Sequence, residues 1–203
     1  MSADLQDAAE SWPVVASEDR LKNWLITVRT DTVRLPDNHY AERSVVTHPG
    51  AVAILALDDD QRVLMIRQYR HPVGRLLWEI PAGLRDTAGE SPLQTAQREL
   101  LEETGYRARE WHALVDYFTS PGFTTERLRI FLARGLEQAA DRGHEPEGEE
   151  KFLVIRWVPL RDAVGLVLAG KLHNGPAITG ILAGYAASSD GFSGLRPATA
   201  QET

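Results

Sequence analysis

The stretch Gly83-Leu84-Arg85-Asp86-Thr87-Ala88-Gly89-Glu90-Ser91-Pro92-Leu93-Gln94-Thr95-Ala96-Gln97-Arg98-Glu99-Leu100-Leu101-Glu102-Glu103-Thr104-Gly105-Tyr106 reads as a loop, a helix and a stop. Ser91 can cap the helix, Pro92 suits its first position, and Gln94 stands where a capping box takes Glu or Gln. Gly105 supplies the end. At 3.6 residues per turn, Glu99 and Glu103 fall about 40° apart on the helix wheel, with Glu102 roughly 60° to the other side of Glu99. Three carboxylates therefore share one face, beside an apolar stripe of Leu93, Ala96 and Leu100. Like charges at i and i+4 cost a helix about 0.2–0.5 kcal/mol, so something should offset Glu99 against Glu103. A wet face balanced by an Arg98–Glu102 pair is one answer. A divalent cation is the other: Mg²⁺ takes oxygen ligands in an octahedron, commonly one or two carboxylates plus phosphate oxygens and water.

Outward from the helix, strand-like and helical segments alternate. Residues 76–80 read as a strand, followed by a kink at Pro81-Ala82 and a loop opening at Gly83. Before them, residues 24–33 and 40–47 read as a hairpin around Leu35-Pro36-Asp37-Asn38, and residues 51–57 and 63–69 as strands about an Asp58–Gln61 turn. After the helix come strands at 109–118, 127–133 and 152–157, a helix at 160–168, and a last helix from Gly175-Pro176 to about residue 186. A mixed sheet between helices, an α/β fold, is the natural architecture. The polar, small-residue ends, 1–12 and 188–203, are expected to be loose tails.

The 203 residues suffice for one domain of about 150 residues plus an extension and tails. The net charge of −7 argues against nucleic acid as a partner, since phosphate backbones are met by clustered Lys and Arg. An anionic substrate would need local help from arginines, and Arg67, Arg70 and Arg75 lie just before the acidic helix. The absence of cysteine excludes disulfides and thiolate metal sites, and no membrane span or secretory signal is visible. A cytoplasmic location is expected.

Gly83, Glu90, Arg98, Glu99, Leu100, Glu102, Glu103 and Gly105 together resemble the signature of the Nudix hydrolases. Two departures stand out: six residues separate Gly83 from Glu90 instead of five, and Tyr106 occupies a position usually aliphatic. Neither touches the acidic helix. Pro121, 16 positions after Gly105, resembles the proline that marks ADP-ribose pyrophosphatases within that superfamily. The Trp78–Gly83 stretch, the Gln68–His71 stretch and the N-terminal β segment extend the likeness over most of residues 20–186.

The resemblance implies an α/β/α sandwich over residues 49–187, preceded by an N-terminal β extension at 13–48. It implies Mg²⁺-dependent hydrolysis of ADP-ribose to AMP and ribose 5-phosphate, with Mn²⁺ an alternative ion. Glu99, Glu103 and the Ala82 carbonyl are then metal ligands. Glu102 is a further ligand or an acid beside them, and Gly83, Glu90, Arg98 and Gly105 shape the loop and helix. The water-activating glutamate is expected in the acidic loop 143–151, where counting back from the following strand favours Glu149 over Glu145, Glu147 and Glu150. Glu102 is the substitute base, and Glu126 is expected near the metals. Arg70, then Arg43 and Trp24, with Leu84 and Pro121, form the expected substrate-contacting set. A homodimer with exchanged N-terminal extensions is implied. Two other classes stay open: a Nudix enzyme for other nucleoside diphosphate sugars or dinucleoside compounds, and a non-catalytic ADP-ribose sensor.

Overall fold

A computed structural model describes residues 5–141 and 151–202. The chain forms two compact units: residues 1–48 with 120–125, and residues 49–119 with 126–203.

In the first unit, β1 (Val14–Lys22), β2 (Thr27–Arg34) and β3 (Tyr40–Thr47) form an antiparallel sheet in that order. The expected hairpin is β2 and β3, closed by a turn in which Asn38 takes φ 68° and donates its N–H to the Leu35 carbonyl. β1 carries no apolar alternation to announce it, because every residue of this strand is exposed. A polar pin joins β1 to β2: buried Asp31 accepts the Ser17 hydroxyl at 2.6 Å and Arg29 Nε at 3.0 Å. Trp24, expected inside a strand, stands in a turn where the Asn23 side chain accepts the Leu25 and Ile26 N–H groups. The residue is 82% exposed. Residues 120–125 join this sheet through Val46, which donates to the Phe123 carbonyl and accepts from the Thr125 N–H.

The second unit is built on β4 (Ala51–Ala56), an apolar run buried on both faces. It pairs in parallel with β9 (Arg127–Gln138), after β5 (Arg62–Arg70), β6 (Arg75–Glu79), β7 (Ala82–Leu84) and β8 (Tyr106–Phe118). With β10 (Val154–Pro159) and the short β11 (Arg196–Pro197), two sheets result: β11-β8-β9-β4-β7 and β10-β5-β6. The period-two alternation of β4 sorts its side chains between two cores. Val52, Ile54 and Ala56 pack with Ala96 and Leu100 of α1 (Pro92–Thr104). Ala51, Ala53 and Leu55 pack with Leu160 and Ala163 of α2 (Leu160–Leu168) and Ala177 and Ile181 of α3 (Gly175–Ser188). Helices thus cover both faces of a mixed sheet. α3 presses so closely that a Cβ on Gly184 would come within 2.1 Å of Leu55. Truncating a side chain as enclosed as Leu100 to alanine should cost about 2–5 kcal/mol.

Two expectations need correction here. Residues 82–84, expected as a kink and loop, form β7, an edge strand paired with Val52 and its neighbours. Residues 189–202, expected to be a loose tail, are fastened: β11 pairs with His112 and Ala113 of β8, Phe192 is buried, and Arg129 Nη1 donates to the Ala200 carbonyl at 2.7 Å. These contacts, with the ion pair of Arg196 to Asp116, are made with distant strands, and the polar composition of the segment gives no sign of them.

Candidate active site

α1 begins and ends as its sequence asks. The Gln94 N–H donates to Ser91 Oγ at 3.3 Å, the Ser91 N–H donates to Gln94 Oε1 at 2.8 Å, and Gly105 closes the helix at φ 75°. With its apolar stripe fixed against β4, the acidic face turns toward β7. There Glu103 Oε2 accepts the Ala82 N–H at 2.9 Å. Glu99 lies directly over Gly83, where a Cβ would sit 1.9 Å from the Glu99 carboxyl carbon. A side chain at 83 would displace that carboxylate, which is a packing reason for glycine at this position.

Arg98 organises the remaining acids. Its Nε donates to Glu90 Oε1 at 3.1 Å, while Nη1 reaches Glu99 at 2.7 Å and Glu102 at 3.0 Å. Thr95 Oγ1 also donates to Glu90, at 3.0 Å. Glu90 thereby ties the loop to the helix, and Arg98 and Thr95 hold its carboxyl below the ordinary range despite the opposing effect of burial.

Glu99 and Glu103 behave in the opposite way. Burial pushes Glu99 up to about 7, against the pull of Arg98 and with the help of Glu102 and Asp86. Burial likewise pushes Glu103 up to about 8, opposed by the Ala82 N–H and by Arg70, and reinforced by Glu99 and Glu79. Among the described residues no three acidic or imidazole side chains converge as a finished cation cage. Two crowded carboxylates beside a backbone segment are nevertheless a donor set that suits Mg²⁺, which completes its shell with water and phosphate oxygens.

The expected substrate residues are distributed unevenly. Arg70 lies at the end of β5, its Nε and Nη2 engaged by Glu79 at 2.9 and 2.7 Å, so most of its fork is directed at a buried acid. Gln68 donates to the same carboxylate at 3.3 Å. Glu79 lies outside the expected set, although a charge inside the apolar run Leu76-Leu77-Trp78-Glu79-Ile80 signals a buried acid needing a partner. Leu84 closes β7 opposite Ala51. Glu126 accepts the Thr119 hydroxyl at 2.6 Å. Arg43, Trp24 and Pro121 belong to the other compact unit, where Arg43 is exposed on β3 and its Nη1 donates to the Glu42 carbonyl. Glu149, with Glu145, Glu147 and Glu150, lies outside the described residues.

The chain is similar to known proteins over most of its length. The chain is 43% identical over 190 residues to an ADP-ribose pyrophosphatase of Mycobacterium tuberculosis, covering 94% of this chain and 90% of that one. It is 38% identical over 160 residues to an ADP-ribose pyrophosphatase of Bacillus subtilis, covering 79% and 85%. A crystal structure of an ADP compounds hydrolase superposes with a TM-score of 0.76 at 22% identity, covering 92% of this chain and 99% of that one, which shows the shared fold. Residues 47–179 match the NUDIX domain model, and the chain belongs to the Nudix hydrolase family.

Proposed function

We propose that this protein hydrolyses the pyrophosphate bond of ADP-ribose, giving AMP and ribose 5-phosphate, in a Mg²⁺-dependent reaction. The observation that carries the reading is the acid pair Glu99 and Glu103 set against Ala82-Gly83, in a chain similar over 94% of its length to an ADP-ribose pyrophosphatase.

In this reading Glu99, Glu103 and the Ala82 carbonyl hold the cation, with Glu102 beside them. The ion supplies charge neutralisation for the diphosphate and for oxygens that become more anionic in the transition state. Arg98 and Glu90 hold the loop and helix in register. Glu149 accepts the proton of the attacking water as its oxygen bonds to phosphorus and the bridging P–O bond breaks. If Glu149 does not, Glu102 takes that role. Arg70, steadied by Glu79, faces the diphosphate together with Leu84. Arg43, Trp24 and Pro121 contribute to the nucleoside pocket. A homodimer belongs to the same reading, because a small β extension is marginal alone and the N-terminal unit leaves Val14, Val15, Leu21, Trp24 and Tyr40 exposed, side chains that packing against a second copy would cover. A cytoplasmic setting suits a cysteine-free chain.

The experiment is a substrate panel with Mg²⁺: ADP-ribose, ADP-glucose, NADH, diadenosine polyphosphates and oxidised dGTP. ADP-ribose should give the highest kcat/KM. A clearly better dinucleoside or triphosphate substrate would overturn the ADP-ribose reading and leave the family untouched. Glu149→Gln should lower kcat by about 10²–10⁴, and a near-normal rate would pass the base role to Glu102.

A further inference from the structure

β7 is an edge strand of three residues, yet Ala82 and Gly83 within it are the backbone on which Glu103 and Glu99 rest. So short a strand gains little hold from its own pairing. The loop that follows runs to Glu90 with six residues after Gly83. Its start is secured from far along the chain. The Arg85 N–H donates to the Gly50 carbonyl at 3.1 Å, and Arg85 Nη1 donates to both carboxylate oxygens of Glu202 at 3.0 Å. Both side chains are mostly shielded, 26% and 20% exposed.

Glu202 is itself anchored. It lies 3.9 Å from Arg129, whose side chain is 3% exposed. Arg129 donates to Asp116 at 2.6 and 2.8 Å and to the Ala200 carbonyl at 2.7 Å. Arg196 donates to the same Asp116 at 3.0 Å, just where β11 joins β8. Residues 198–202 then face Arg85, Ser91, Pro92 and Leu93 across a shared cleft. The segment is thus fixed to the sheet at one end and grips the loop beside α1 at the other.

We infer that residues 196–202 form a strap that positions the Ala82–Glu90 segment, with Glu202 acting through Arg85 as a positioning residue for the hydrolytic site. This rests on the reading that Ala82, Glu99 and Glu103 are the reaction centre. A carboxylate-held arginine immediately after β7 restricts the backbone that must present the Ala82 carbonyl and accommodate Glu99. A misplacement of about 1 Å at such a point can cost up to about 10²-fold in rate.

The test combines amide hydrogen exchange of the metal-free protein with steady-state kinetics, for wild type, Glu202→Ala, Arg85→Ala and the double variant. Exposed Glu137→Gln on β9 serves as control. Exchange of the amides of residues 84–90 should quicken about tenfold or more in each single variant, with protection across α1 unchanged. Turnover should fall about tenfold with KM altered less than about twofold, and the double variant should be no worse than either single, the sign of a coupled pair. Unchanged exchange would overturn the strap. Faster exchange with unchanged kcat would reduce it to a tether without a catalytic role. Should Glu202→Ala weaken the fold itself, Glu202→Gln keeps the shape and tests the charge alone. The exchange arm needs neither substrate nor metal, so a wrong substrate assignment shows only in the kinetic arm, which then uses whichever panel compound is hydrolysed.

Discussion

Asp116 keeps 5% of its side chain in solvent and meets Arg129 and Arg196, whereas Glu103 accepts the Ala82 N–H and faces Glu99 and Glu79 with Arg70 in opposition. Burial raises both carboxyls. At Asp116 the hydrogen bonds from two guanidinium groups outweigh burial, and its value stays below the ordinary carboxylate range. At Glu103 the neighbouring acids add to burial, and its value climbs to about 8. The contrast separates two uses of a buried acid. One is satisfied inside the chain and fastens the sheet to residues 196–202. The other is left short of positive charge, the condition expected of an acid that holds a cation in the proposed reaction.

If Asp116 is structural, breaking its pair should be felt in stability before anything else. Arg129→Ala leaves a buried carboxylate without its main partner and should cost about 3–5 kcal/mol, read from urea unfolding. A loss under about 1 kcal/mol would erase the distinction.

Glu103→Gln should do the reverse. It keeps the shape and removes a charge, so kcat should fall by about 10² or more, equivalent to about 2.7 kcal/mol of transition-state stabilisation, while unfolding at neutral pH is not made easier. The same holds for Glu99→Gln. Near-normal turnover in both would remove α1 from the chemistry.

The pH dependence of stability sharpens the contrast because the two signs differ. For Asp116 the folded value is depressed, so the unfolded chain binds more protons in the window between the two values. Its contribution is present above the ordinary carboxylate value and is lost as pH falls through the folded one. For Glu99 and Glu103 the folded values are raised, so in metal-free protein stability should decline as pH rises from the ordinary carboxylate value of 4.5 toward about 7 and about 8 respectively. Asp116→Asn should flatten the acid limb, and Glu103→Gln the limb above it. Thermal melts in metal-free buffers from acid to mildly alkaline pH would check both.

Much of the acidic site was legible because its signals are local. Ser91-Pro92, Gln94 and Gly105 fix the ends of α1, and the spacing of Glu99, Glu102 and Glu103 fixes which face they share. The cores were legible for the same reason, since the β4 run and the α1 stripe follow simple periods. Other features depend on contacts that no local pattern carries. Arg85 and Glu202 are 117 positions apart, and nothing near either one announces the pair. β7 is too short and β1 too polar to show a strand period. Arg70 was readable as a cation near the site, but its engagement by Glu79 depends on the register of β5 against β6, where Arg67 faces Trp78 and Ile66 faces Glu79.

The most direct measurement is the thermal unfolding of metal-free protein at neutral pH, with and without Mg²⁺, for wild type and Glu103→Gln. If Glu99 and Glu103 form a cation site, Mg²⁺ at about ten times its Kd should stabilise the wild type by roughly 1.4 kcal/mol and raise Tm by about 3–6 °C, and the variant should lose most of that gain. Equal shifts in the two proteins, or none in the wild type at high Mg²⁺, would contradict the account.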